Sequence, residues 1–483
     1  MIFSSRNYAI GMAHYQIAGG LKVLLALMGA YVVVVGSIIG LIIYNTPPSG
    51  LRSAMEAFAT FLLVMEGIGI VVMGGVRIAG CIRMDLLTNM IESHRQMPIS
   101  AARAMLGYLF GSTVHVIAVL ALNMIVLAIV EGMAGVSFET FVLAQIVLCG
   151  FALFVWAFSA MTSLMFRQAM PMIVLFFVFG SCGGMFLRAW GLLPGLSLLA
   201  APFLGETIFN LARGRITMHA AYPVALTAQA AFAILCFIGA CRRYRGSYRT
   251  TFNVLMGILL VAVWGVLSVV AIAVWPSVAT PFGREFGTLA LNAQLVASLC
   301  VAALLVFVPI YALAQWEAHQ SLPAIRRWIA ILAILLVGVI SLLAVPFTGG
   351  LWFICCVVMA AHTITIYAVL RAFARSTPTI IFFAILVLMF LVWAAPMILE
   401  AIRWYFEPWD ARGNIVADYS IISTFSPLGL LLAATSDADH MPTLWVGMLF
   451  QMSLAVILLY LAQLRGSKIP GVTPETPLQS APS

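Results

Sequence analysis

Few residues in this chain are suited to chemistry, because only 8% of its 483 residues are charged. Glu66 sits among Gly67, Gly69, Gly74 and Gly75 in an otherwise apolar run. A charge at the centre of a membrane helix costs about 2.5–3.5 kcal/mol on insertion scales, and protonation or a partner offsets that cost. Glu66 therefore reads in one of two ways. It faces a translocation path or lateral interface, or it is a neutral, hydrogen-bonded packing residue beside close-packed glycines. Two further groups are Glu92-Ser-His94-Arg95-Gln-Met97-Pro98 and Glu317-Ala-His319-Gln-Ser-Leu322-Pro323. Both read E-x-H-x-x-[ML]-P. Nothing else polar in the sequence converges on them, so they suit partner contact, positioning or local capping better than acid–base catalysis. His115, Gln145 and His362 lie inside apolar runs. Two membrane histidines can ligate haem, but nothing in the sequence puts these at matched depth on facing helices, so all three read as core residues.

The elements that must position these groups follow from composition. The chain is 64% hydrophobic with a mean hydropathy of +1.11, whereas soluble domains carry about 25% charged residues. A surface so poor in charge faces lipid. The formal net charge of +8 comes mostly from arginine, since Lys22 and Lys468 are the only lysines. In a membrane protein such an excess reports cytoplasmic loops rather than nucleic acid. The eight cysteines form no CxxC pair; most lie in apolar runs, so neither a zinc site nor a disulfide framework is expected. No cleavable signal peptide is expected at the polar, aromatic start.

A hydrocarbon core about 30 Å thick needs about 20 apolar residues per helical crossing. Runs of that kind lie near 22–44, 57–79, 105–130, 139–165, 170–188, 219–240, 254–275, 288–315, 327–347, 350–370, 378–402 and 441–464. Lipid leaves no partner for backbone polar groups, so the spans must be helices, and the absence of short alternating strands argues against a barrel. The expected fold is all-α, with about twelve transmembrane helices. Sorting Lys and Arg by loop puts 17 of the 24 on the side of the termini, which are therefore expected to be cytoplasmic in the plasma (inner) membrane. Residues 1–20 suit a helix lying in the interface. Residues 82–97 place Leu86, Leu87, Met90, Ile91 and Met97 on one face and Arg83, Asp85, Asn89, Glu92 and Arg95 on the other, as in an amphipathic cytoplasmic helix. Residues 467–483 hold four prolines and read as a disordered tail.

The two E-x-H-x-x-[ML]-P segments are 225 residues apart, and the same offset relates Pro202 to Pro427, each the first residue of Pro202-Phe-Leu-Gly205 and Pro427-Leu-Gly429. Two matches at one offset predict a duplication, with units at 1–250 and 251–466. Six spans per unit is an even number, so the halves share one orientation about an axis along the membrane normal. Each half would then offer one cytoplasmic docking segment, which suits a symmetric pair of partner subunits.

At this point the chain resembles the permeases of type-2 ATP-binding-cassette (ABC) exporters. The family half-unit runs from an interfacial helix through two spans, a coupling helix, three spans and an outer re-entrant segment to a last span. Residues 1–20, 82–103, 190–212 and 219–240 fill the corresponding places, with 190–212 containing Pro194, Pro202 and Gly205. The second half departs from the pattern, with only a short segment at 316–326 and a long polar outer loop at 403–420. The resemblance implies ATPase-coupling roles for Asp85, Glu92, His94, Arg95 and Pro98, and for Glu317, His319 and Pro323. It implies re-entrant segments at Pro194, Pro202 and Gly205, and at Pro427 and Gly429. It also implies a homodimer or, for a fused pair of six-helix units, a pseudo-dimer in lipid.

No G-x-x-x-x-G-K-[ST] loop occurs, so any ATPase is a separate subunit. The expected function is a transport subunit, not an enzyme, with no cofactor, no metal and no nucleic acid. It would export an amphiphile, polysaccharide precursor, peptide or drug. Two alternatives stand beside it. One is an ion-coupled secondary transporter using Glu66. The other is a membrane enzyme or anchor using the outer acids Glu407 to Asp418.

Overall fold

The computed structural model describes residues 16, 19–135, 138–165, 221–246, 253–263, 306, 308–314, 331, 349–373, 378–406, 421, 423–427, 430 and 441–467. Every regular element among them is helical. The chain divides into two compact units. The first comprises Met1–Phe252 and Ala262–Ser298, and the second Asn253–Val261 and Leu299–Ser483.

In the first unit, α1 (Gly20–Asn45) is followed by α2 (Pro48–Gly67), a π-helical segment (Ile68–Met73) and α3 (Gly74–Leu87). Then come the short helices α4 (Met90–Gln96) and α5 (Ala101–Leu106), a second π segment (Gly107–Gly111), α6 (Val114–Ala134), α7 (Phe138–Met165) and α8 (Ala221–Arg245). Among the described residues, five helical stretches are long and apolar enough to cross a membrane: Gly20–Asn45, Pro48–Leu87, Val114–Ala134, Leu148–Met165 and Leu444–Gln463. These fit an all-α membrane protein. Most of α1 points its side chains outward, with Leu25 59% and Val33 67% exposed and only Val35 buried. Such an apolar surface is stable against lipid tails and not against water.

The expected span 57–79 is part of a longer helix. It runs without a break through the π segment from Pro48 to Leu87, 40 residues in all. Proline fits the first position, where no N–H is needed. The expected single amphipathic helix over 82–97 is two helices. Thr88 closes α3 by donating through both N and Oγ1 to the Met84 carbonyl, and Asn89 then turns left-handed at φ 55°. Asparagine tolerates that conformation better than most residues, so the chain bends there.

The interior forms along two seams. α7 packs along α3 and, most extensively, along α8, while α2 packs along α6. Gly74 and Gly75 allow the close approach of α3 to α7. A Cβ on Gly74 would stand 2.7 Å from Cε2 of Trp156, and one on Gly75 would stand 2.9 Å from Oγ of Ser159. A π turn carries one residue more than an α turn and leaves carbonyls badly placed for the helical ladder. Here the Trp156 indole N–H donates to the Ile70 carbonyl at 2.7 Å.

In the second unit, α9 (Gly349–Ala372) packs against α12 (Met441–Ser467). Between them in sequence lie α10 (Pro378–Met389), a π segment (Phe390–Ala394) and α11 (Ala395–Phe406). Pro396 brings no N–H to the turn before it. Ser426 Oγ donates to the Trp393 carbonyl at 2.9 Å, and the Gln451 amide donates to the Phe425 carbonyl. The irregular backbone at 423–427 is thus held against the middle of two long helices. Interior helices are where non-helical backbone survives at membrane depth. Pro427 opens a helical turn, with the Leu430 N–H returning to the Ser426 carbonyl at 2.8 Å.

Candidate functional site

Among the described residues of the first unit, two buried polar clusters stand out. The first joins the end of α3 to the hinge that follows it. Tyr108, in the second π segment, donates its hydroxyl hydrogen to Asp85 Oδ2 at 2.5 Å. His94 Nδ1 lies 3.1 Å from the same hydroxyl and 3.5 Å from Asp85 Oδ2. A phenol has one hydrogen, and here it goes to the carboxylate, so Nδ1 of His94 must carry the proton in its contact with the hydroxyl. All three side chains are buried. An acid, a phenol and a base therefore close on one another and fix α4 to α3 and to the second π segment.

Arg95 extends that clamp to α8. Its Nε donates to the Tyr244 carbonyl at 2.6 Å, and one terminal nitrogen reaches the Arg243 carbonyl at 3.5 Å. The other terminal nitrogen pairs with Glu92 at 2.5 Å. The last carbonyls of a helix have no intrahelical donor and carry the negative end of its dipole, so a guanidinium there is stabilising. The guanidinium carbon also lies 5.8 Å from the centre of the Tyr244 ring. Arg243 in turn donates to the Leu164 carbonyl at the end of α7 at 3.3 Å. Pro98 completes the turn. Met97 before it is extended, as residues preceding proline must be, and the Ile99 N–H returns to the Met97 carbonyl at 2.7 Å. Ser100 then caps α5 by accepting from the Arg103 N–H at 3.3 Å.

The second cluster lies midway along the bundle. Glu66 is 3% exposed, and its Oε2 accepts from Asn123 Nδ2 at 2.9 Å and from Gln145 Nε2 at 3.2 Å. Tyr31 donates to the Asn123 Oδ1. Four helices thus contribute: α1, α2, α6 and α7. Glu131, two turns beyond Asn123 on α6, is also buried, and its Oε2 has no hydrogen-bond partner among the described residues. The same holds for Gln145 Oε1. Among the described residues, no Lys, Arg or His pairs with Glu66.

The sequence-based candidates therefore divide. Asp85, Glu92, His94, Arg95 and Pro98 come together in one clamp around α4. Glu66 sits apart, in the second cluster. Gln145, read as a core residue, is one of its two ligands. His115 reaches the Gly20 carbonyl at 3.1 Å, and the His362 ring meets Trp393 with centroids 5.1 Å apart. Glu317, His319, Pro323, Pro194, Pro202, Gly205 and Gly429 lie outside the described residues, as does nearly all of 1–20 and the tail from 468 onwards. Tyr108, Asn123, Glu131 and Tyr31 were not anticipated. Asn123 had a signal, being a lone amide within an apolar run; Tyr108 had none, because its partners are 14 and 23 residues away. No family profile, curated protein or solved structure matches this chain.

Proposed function

We propose that this chain is the transmembrane permease subunit of an ATP-driven exporter and works with a separate ABC-type ATPase subunit in the plasma membrane. The observation that carries this reading is the clamp around α4. A seven-residue helix at a span's end is tied through Asp85, Tyr108, His94 and Arg95 to α3, the second π segment and α8. A load applied to α4 therefore reaches three elements at once, which is what coupling to an external ATPase requires. Glu92, 59% exposed at its side chain, lies on the face left for a partner. In this reading α4 and both termini are cytoplasmic, about twelve helices cross the membrane as a 6+6 parallel repeat, and Glu317, His319 and Pro323 mark the second docking segment.

The test is purification of the tagged chain under conditions that keep complexes intact, followed by cross-linking from a cysteine at position 92. Capture of an ATPase bearing a Walker-A motif, through that position, supports the reading. Labelling of position 92 from the outer face of intact cells sinks it.

The second reading is ion-coupled secondary transport, favoured by Glu66 held among amides with Glu131 nearby. Transport that survives ATP depletion and collapses with an ionophore selects it.

A further inference from the structure

The two hydrogens donated to Glu66, from Asn123 and Gln145, both go to Oε2. Gln145 is 4% exposed, and its own Oε1 is buried with no hydrogen-bond partner. A buried amide oxygen without a donor costs about 1–3 kcal/mol. The two polar atoms of this amide belong to one planar group that already faces the carboxyl. A carboxylate cannot supply the missing hydrogen, but a carboxylic acid can. The Gln145 N–H would go to one carboxyl oxygen and the acid O–H back to the Gln145 carbonyl, closing a two-point pair.

We propose that Glu66 is an exchangeable proton site, with Gln145 as the partner that holds the proton-loaded form and Asn123 and Tyr31 as positioning residues. The proton comes from water and returns to it; no bond other than O–H forms or breaks. Among the described residues, the titratable groups whose charges bear on Glu66 are Tyr31 from α1, Glu131 from α6 and Cys149 from α7. On its own rod the nearest charged residues are Glu56 and Arg77, ten and eleven residues away. None of these supplies a fixed positive charge close to Glu66. A proton removes the net charge of the site, whereas a carboxylate there keeps a charge that a low-dielectric interior disfavours. Among the described residues, no group of three or more His, Cys, Asp or Glu is placed to hold a metal ion, so the donor set suits a proton better than a divalent cation. The proposal needs no ATPase and stands apart from the export reading.

The experiment is infrared difference spectroscopy on the full chain in lipid nanodiscs, titrated with pH in potassium and in sodium buffer. The expected result is a protonated-carboxyl carbonyl band that titrates, disappears in Glu66→Gln and persists in Glu131→Gln. In Gln145→Leu the band stays but moves to higher frequency, because its hydrogen-bond partner is gone. Gln145→Leu keeps the test sharp if Glu66→Gln does not fold. A titrating band unchanged in Glu66→Gln, or unmoved in Gln145→Leu, overturns the proposal. So does a spectrum that responds to sodium while showing no protonated carboxyl at any pH.

Discussion

Asp85 and Glu66, two of the three buried acids among the described residues of the first unit, stand in opposite surroundings. Asp85 has a phenol and an imidazole within reach, and both belong to elements it ties together. Glu66 has two amides and no base among the described residues. An acid closed on a base holds position. An acid held only by amides, beside an acceptor that lacks a hydrogen, can change its charge. The comparison teaches that a buried carboxyl in such a bundle is read from its partners, not from its depth.

The sharpest way to break the comparison is to remove Asp85. Losing one member of a buried, hydrogen-bonded pair costs about 3–5 kcal/mol, so Asp85→Leu is expected to lower thermal stability in detergent more than any other change considered. An Asp85→Leu protein that melts with the wild type would place Asp85 outside any clamp. Next comes Arg95→Ala. It removes charge-assisted bonds to the end of α8, worth about 1.5–3 kcal/mol together; hydrogen exchange should rise at the last turn of α8 and not in α6. A smaller loss is expected for Ser100→Ala, which takes away the cap of α5 at about 1 kcal/mol, read as a lower melting temperature. The smallest belongs to Glu66→Gln. If the carboxyl is neutral at rest, the amide keeps its size and costs about 0.5 kcal/mol. A melt as low as that of Asp85→Leu would show that Glu66 is a structural anchor after all.

Much of this was legible in residue order. Lipid demands helices and charge-poor runs set their length, so Gly20–Asn45, Phe138–Met165, Ala221–Arg245, Gly349–Ala372 and Met441–Ser467 lie within a few residues of the expected spans. Glu66 and the Glu92–Pro98 segment stood out because polar groups are scarce there. The bend at Asn89 was not legible, since a hydrophobic period that runs through 82–97 hides one left-handed residue. Nor were the partners. Tyr108 meets Asp85, and Gln145 meets Glu66, only because the seam at Gly74, Gly75 and Trp156 and the pairing of α2 with α6 set the helices side by side. Glu131 falls one residue beyond the apolar run 105–130, where an acid is ordinary at a helix end, so its burial has no signal in residue order.

The unbroken helix from Pro48 to Leu87 has a mechanical consequence. At 1.5 Å per residue its 40 residues extend about 60 Å, twice the thickness of the hydrocarbon layer. From the π segment to Leu87 is about 20 Å of that lever arm, so a tilt of roughly 10° about this pivot swings the tip by about 4 Å. A displacement of that size exceeds the 2.5 Å contact between Tyr108 and Asp85. The far end of the arm must therefore either drag its neighbours along or let go of them.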